Sequence, residues 1–154
     1  MKPARVEKWM AAALALSLAA GCATVPPHPR TIALDAAPGA GADAAFAAEA
    51  LSYAKSTLSD NGWRLVDGRD EAANVAAITL SCTEDAALGE WRVCSSSVDI
   101  ALSELRDEEW VASRKRLEIQ GDRGRDSAAA RKSLAGKAGR AAAEWIDCKA
   151  RKGE

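Results

Sequence analysis

The chain has 154 residues, 48% of them hydrophobic and 28% charged, with a formal net charge of −1. That length supports one domain with a real core and is too short for two. The near-neutral total hides an asymmetry: residues 31–109 hold five Lys/Arg against fifteen Asp/Glu, whereas residues 110–154 hold twelve against six. Either the two halves attract each other within one fold, or the second half offers a basic surface to an anionic partner such as lipid head groups or an acidic protein.

The first element is a leader. Lys2, Arg5 and Lys8 precede an apolar stretch over 9–20, which closes on Leu18-Ala19-Ala20-Gly21-Cys22. Twelve residues at helical rise reach only ~18 Å, short of the ~30 Å hydrocarbon core, so a removed signal fits better than a permanent transmembrane helix. The run ending at Cys22 resembles the lipobox of bacterial lipoproteins, with Leu18 at −4 and Ala19 at −3, where that family usually carries leucine. The resemblance implies cleavage before Cys22 and a diacylglycerol on its sulfur. Ala23 at +2, in place of aspartate, implies delivery to the periplasmic face of the outer membrane. The competing reading is an ordinary secretory signal cut near Ala20 or Gly21. Residues 1–21 are thus expected to be removed and residues 22–30 to form a lipidated tether, since Pro26, Pro27 and Pro29 favour extended backbone. A single domain is expected over 31–150, with a tail at 151–154.

The alternation over 31–35 predicts a short strand, and the Pro/Gly-containing stretch 36–42 a turn. Asp43 is expected to cap a helix whose stripe is Ala47, Ala50, Leu51, Ala54 and Leu58, flanked by Phe46 and ended by Asn61-Gly62. A strand over 63–67 and a polar turn to 74 follow. Residues 75–82 alternate, placing Ala76, Ile78, Leu80 and Cys82 on one face. Residues 93–105 do the same with Cys94, Ser96, Val98, Ile100 and Leu102, and residues 110–120 with Val111, Leu117 and Ile119. A turn at 106–109 pairs Leu105 with Trp110, Val98 with Leu117 and Ser96 with Ile119, so the apolar faces coincide, and a one-residue slip would turn one set to water. Pairing Cys82 with Cys94 sets Ile78 against Val98 and Ala76 against Ile100, and in that register a Cys82–Cys94 disulfide is expected. A bridge from either residue to Cys148 competes, and spacing alone does not fix connectivity.

Asp126 or Ser127 is expected to cap a final helix carrying Ala130, Leu134, Ala138, Ala141, Trp145 and Cys148 at helical spacing. Its small residues, with Gly136 and Gly139, suggest close approach to the sheet. The order β-α-β-β-β-β-α, with two helices on one face of an antiparallel sheet, predicts a two-layer α+β sandwich. From Thr31 onward the pattern of helix, Gly62-Trp63-Arg64-Leu65-Val66, alanine-led strand, long hairpin and Ala-rich final helix resembles the small envelope domains of the penicillin-binding-protein activator lipoproteins and of the TolB N-terminal region. No functional residue transfers with that likeness.

Catalytic motifs are sparse. His28, the single histidine, lies in the tether, away from any Ser or Cys it would need to activate. Cys82, Cys94 and Cys148 form no C-x-x-C pair for zinc, and Pro38-Gly39-Ala40-Gly41 lacks the Lys-Ser/Thr of a P-loop. Glu84, Asp85 and Glu90, and Asp107, Glu108 and Glu109, are expected to lie in two loops as solvated charge. No cofactor, metal site or enzymatic activity is expected, and export from the cytoplasm argues against a nucleic-acid partner. Trp63 and Trp145 fit a core. Trp91 in the acidic loop and Trp110, with Arg114 and Arg116, are the candidate binding residues, because tryptophan and arginine dominate interface hot spots; the alternative is that each tryptophan lies flat on its neighbours. The expected function is a non-catalytic, lipid-anchored periplasmic interaction or assembly module with an envelope protein as partner. The alternative is a small-ligand or lipid-handling accessory of an envelope transport system.

The anchor has a direct test. Wild-type protein made in a diderm bacterium should enter the detergent-rich phase of a cloud-point separation, and Cys22→Ser should accumulate unprocessed or move to the aqueous phase. Wild type in the aqueous phase refutes lipidation.

Overall fold

A computed structural model of the chain describes residues 30–88, 91–122, 124 and 126–152. The leader, Cys22 and His28 lie outside the described residues. The elements follow the expected order: β1 (Thr31–Pro38), α1 (Ala44–Asp60), β2 (Arg64–Leu65), a 3-10 turn (Arg69–Glu71), β3 (Asn74–Leu88), β4 (Trp91–Arg106), β5 (Glu109–Gln120) and α2 (Ser127–Arg151).

Local chemistry accounts for the helix ends. The Asp43 carboxylate accepts from the Phe46 N–H at 2.8 Å, and that of Asp126 from the Ala129 N–H at 2.6 Å, each satisfying an otherwise orphaned donor. Gly62, at φ 85°, takes the left-handed conformation that ends α1 at little cost. Gly41, at φ 72°, needs glycine twice over, because a Cβ there would collide with the Cys82 carbonyl. The 39–41 segment is more than a turn: the Gly39 N–H donates to the Leu80 carbonyl and the Cys82 N–H to that of Ala40, so the chain hugs β3 until α1 starts.

The sheet order is β2-β1-β3-β4-β5. It is mixed rather than antiparallel throughout. β1 lies parallel to both β2 and β3, because α1 carries the chain back to the end where β1 began. The β3-β4-β5 meander is antiparallel as expected. Between β4 and β5 the expected register holds, with Leu105 opposite Trp110, Val98 opposite Leu117 and Ser96 opposite Ile119. Between β3 and β4 it is displaced by two residues: Ile78 faces Ile100, Leu80 faces Val98, and Cys82 faces Ser96 instead of Cys94. The strands continue to Leu88 and Trp91, with an irregularity between Asp85 and Leu88, and that long hairpin sets the pairing. A two-residue shift preserves side-chain parity, so the expected residues are still buried.

The core lies between this sheet face and the helices. Ile32, Leu80, Val98, Leu58, Leu134 and Ile146 are fully buried, and each contributes roughly 1.5–3 kcal/mol by leaving water. α1 buries Phe46, Ala47, Ala50, Ala54 and Leu58. α2 buries a broader and rotated stripe than expected: Ala135, Gly139, Ala142, Ala143 and Ile146 join Ala130, Leu134 and Ala138, while Trp145 is only partly buried and Cys148 is exposed. The reason is a second partner. α2 packs on α1 as well as on the sheet, and the close approach made by Gly139 is to Ala50 of α1.

Gly139→Val should therefore destabilise the fold by about 1–3 kcal/mol, the typical cost of overpacking, because the added side chain meets the Ala50 carbonyl and Tyr53. Gly62→Ala should cost less, since its Cβ meets nothing and only the positive φ opposes it. Urea midpoints of the two variants check the order.

Candidate binding face

The sheet face away from the helices is open. Alternation sends Ala77, Thr79 and Ser81 from β3, Ser97, Asp99, Ala101 and Ser103 from β4, and Trp110, Ala112, Arg114 and Arg116 from β5 to this side. The first two strands supply small side chains, so the middle of the face is flat. The edge strand supplies the bulk and the charge. A groove of about 430 Å³ runs over Ala77, Thr79, Asp99, Ala101, Arg114 and Arg116.

The two arginines behave differently. Arg116 is held: its Nε donates to Glu118 Oε1 at 3.1 Å and lies 3.9 Å from Asp99 Oδ1, and its Nη2 donates to Ser97 Oγ at 3.2 Å. Arg114 has no partner among the described residues. Trp110 is 42% exposed and, with Val111 at 43%, forms an exposed apolar pair at the start of β5. The Arg69 guanidinium sits 5.5 Å from the Trp110 ring centroid, a cation–π contact that steadies the ring while leaving much of it in water. Trp110, Arg114 and Arg116 thus share one face as expected. Trp91 opens β4, and its side chain lies outside the described residues. Arg69 is a contributor that sequence periodicity could not reveal, because it comes from a turn folded across the strand ends.

At the opposite end of the sandwich, the N-termini of α1 and α2 flank an open groove of about 550 Å³ whose walls include Phe46, Glu49, Ser127 and Arg131. Arg131 is already engaged there, 3.4 Å from Asp43 Oδ2 and 5.8 Å from the Phe46 ring centroid. Beside α2, Asp122 accepts from Lys137 Nζ at 2.6 Å and from Ser133 Oγ at 3.0 Å, and these bonds hold its carboxyl below the usual range. Among the described residues no cluster of three or more His, Cys, Asp or Glu is placed to hold a metal ion, and no helix is long and apolar enough to cross a membrane.

The structure shows no bridge between Cys82 and Cys94, and both thiols are buried. The two-residue register shift makes them diagonal neighbours, with Cys82 opposite Ser96 and Cys94 opposite Glu84. Their side chains still reach each other in a hydrogen bond. Burial pushes the Cys82 thiol above its ordinary value, outweighing the opposing pull of Arg131 and of that hydrogen bond. Cys148 does not pack over this pair, because it lies on the solvent side of α2.

Deeper in the fold, Trp63 Nε1 donates to Asp147 Oδ1 at 2.9 Å, and Arg151 Nη2 approaches Asp147 Oδ2 at 3.0 Å. Glu104, 4% exposed, accepts from Arg106 Nη2 through both oxygens at 3.0 Å. Among the described residues no buried side-chain nitrogen or oxygen lacks a hydrogen-bond partner. Glu104 and Asp147 are thus buried carboxylates whose hydrogen bonding is satisfied within the fold, as buried polar groups generally require.

No family model matches the chain, and no curated protein does. Among solved structures, a minor lipoprotein from Acinetobacter baumannii superposes with a TM-score of 0.54 at 10% identity, over 79% of this chain and 94% of that one. Lipoprotein GNA1162 from Neisseria meningitidis gives 0.45 at 12% identity, over 76% and 97%. The hypothetical protein CT253 from Chlamydia trachomatis gives 0.49 at 10%, over 78% and 94%. The sandwich is therefore a fold this chain shares with the Acinetobacter lipoprotein.

The thiols should separate by reactivity. In reductant at pH 8, a small alkylating agent should label Cys148 of the folded protein quickly, and Cys82 and Cys94 only after denaturation. Peptide mapping that finds Cys82 labelled as fast as Cys148 would contradict its burial.

Proposed function

We propose that this chain is a lipid-anchored, non-catalytic interaction module of the bacterial cell envelope, held by Cys22 on the periplasmic face of the outer membrane and binding an envelope protein through its open sheet face. The observation that carries this reading is the face itself: a flat field of Ala, Ser and Thr flanked by a partly exposed tryptophan and an unpartnered arginine. Such a surface offers a partner large contact area at Trp110 and directional hydrogen bonding at Arg114, with few bulky side chains to displace. The fold shared with the Acinetobacter lipoprotein and the Leu18–Cys22 run support the anchor. The likeness to the penicillin-binding-protein activator and TolB-type domains rests on the sequence pattern and adds a class of partner, the machinery of envelope maintenance.

Trp110→Ala combined with Arg114→Glu is the test. Both residues are exposed, so the double variant should fold and localise as wild type does. In-cell crosslinking followed by mass spectrometry should then recover the wild-type partners at strongly reduced yield. A folded, localised double variant that captures the same partners at the same yield assigns binding elsewhere.

A further inference from the structure

β5 is a sheet edge twelve residues long, with nothing paired to its outer side among the described residues. The Gly121 N–H donates to the Cys94 carbonyl, one step beyond the last β4–β5 pair. By antiparallel alternation, the odd-numbered residues of β5 then bond to β4. The even-numbered residues, Trp110, Ala112, Arg114 and Arg116, direct their N–H and C=O groups outward. Natural edges of this length are usually defended by charge, and Arg114, Lys115 and Arg116 look like such a defence. The defence has a gap. The acidic residues Glu108 and Glu109 and the exposed pair Trp110 and Val111 sit at one end of the strand, a few residues from the cations. Glu109, Arg114 and Lys115 have no charged or hydrogen-bonding side-chain partner among the described residues.

We propose that β5 pairs antiparallel with β5 of a second copy of this chain, about a two-fold axis at Ala112, joining two five-stranded sheets into one. In that register Glu109 lies opposite Lys115 of the second copy, Trp110 opposite its Arg114 and Val111 opposite its Ser113, and each pair occurs twice. The unpartnered acid meets the unpartnered base on the helix side of the sheet. On the open side the exposed ring meets the unpartnered guanidinium. Other registers lose this match. An axis at Lys115 sets Lys115 on its own copy and Arg114 on Arg116. An axis at Leu117 pairs Arg116 with Glu118, which are already bonded to each other within one chain, and leaves Trp110 and Val111 in water. Pairing through Ala112 also satisfies outward backbone groups of residues 110, 112 and 114, and it makes the two open faces continuous.

Cysteine crosslinking of the full-length chain in detergent tests the register. The exposed Cys148 is first replaced by serine, and this parent sets the background. Ala112→Cys places two thiols across the axis at a Cα separation of ~5.5 Å, within disulfide reach. Arg114→Cys places them four residue steps apart along the strand, ~13 Å. Mild oxidation should give several-fold more covalent dimer for Ala112→Cys than for the parent, and none above background for Arg114→Cys. Within the Ala112→Cys chain, Lys115→Glu or Glu109→Lys alone should reduce the crosslink, and the two together should restore it, since the charges are exchanged symmetrically. No crosslink above the parent, equal crosslinking at 112 and 114, or a double charge variant that stays low each overturns the proposal.

Discussion

The pairing of β3 with β4 is the constraint on which the rest of the molecule depends. These two strands form the longest contact in the fold, running from Asn74 opposite Glu104 to Leu88 opposite Trp91. Their shared face carries Ala76, Ile78, Leu80 and Cys82 beside Cys94, Val98, Ile100 and Leu102, all buried. β1 attaches to one side of this pair and β5 to the other, so the hairpin sets the height of both. The same pairing makes the opposite face flat, because strict alternation that puts branched side chains inward leaves Ala77, Thr79, Ser97, Ala101 and Ser103 outward.

The helical layer works by smallness. α1 and α2 bring Ala50 and Gly139 together, and the layer is filled by Ala47, Ala54, Ala135, Ala138, Ala142 and Ala143. Few large side chains are needed because the backbones approach closely. The larger ones, Phe46, Leu58, Trp63, Leu134 and Ile146, reach where the layers diverge or meet the sheet. Specificity in such a layer comes from steric exclusion at the closest point and from the buried bond between Trp63 and Asp147, which joins the start of the second strand segment to the end of α2.

The charge asymmetry resolves in part within the fold. Arg131 meets Asp43, and Arg116 approaches Asp99, so bases of the second half do face acids of the first. These contacts are exposed or partly so, and such pairs are typically worth 0–1 kcal/mol. They bias orientation more than they stabilise. Lys137 and Arg151 instead find acids in their own half, Asp122 and Asp147. Of the second-half bases without an acid partner among the described residues, Arg114 and Lys115 lie on the edge strand, where charge acts on whatever approaches the sheet from outside.

Local signals carry much of this protein's form. Alternation marked the buried faces of β3 and β4, although on β5 it placed Val111 inward where the edge leaves it exposed; Asp43 and Asp126 marked the helix starts, Gly62 marked the end of α1, and the acidic turn at 106–109 set the β4–β5 register, because a short loop leaves little freedom in pairing. Trp110, Arg114 and Arg116 were legible as one face for the same reason. Tertiary structure decided what parity and periodicity leave degenerate. A two-residue slide between β3 and β4 buries the same side chains, so only the continuation of the hairpin to residues 88 and 91 separates Cys82–Ser96 from Cys82–Cys94. The parallel placement of β1 depends on where α1 returns the chain, and the rotation of α2 depends on α1 lying beside it. Arg69 reaches Trp110 only because the 3-10 turn before β3 lies at the same end of the sheet as the start of β5. Each of these is a contact between segments far apart in sequence, where hydrophobic pattern fixes which side of an element is buried but not which neighbour covers it.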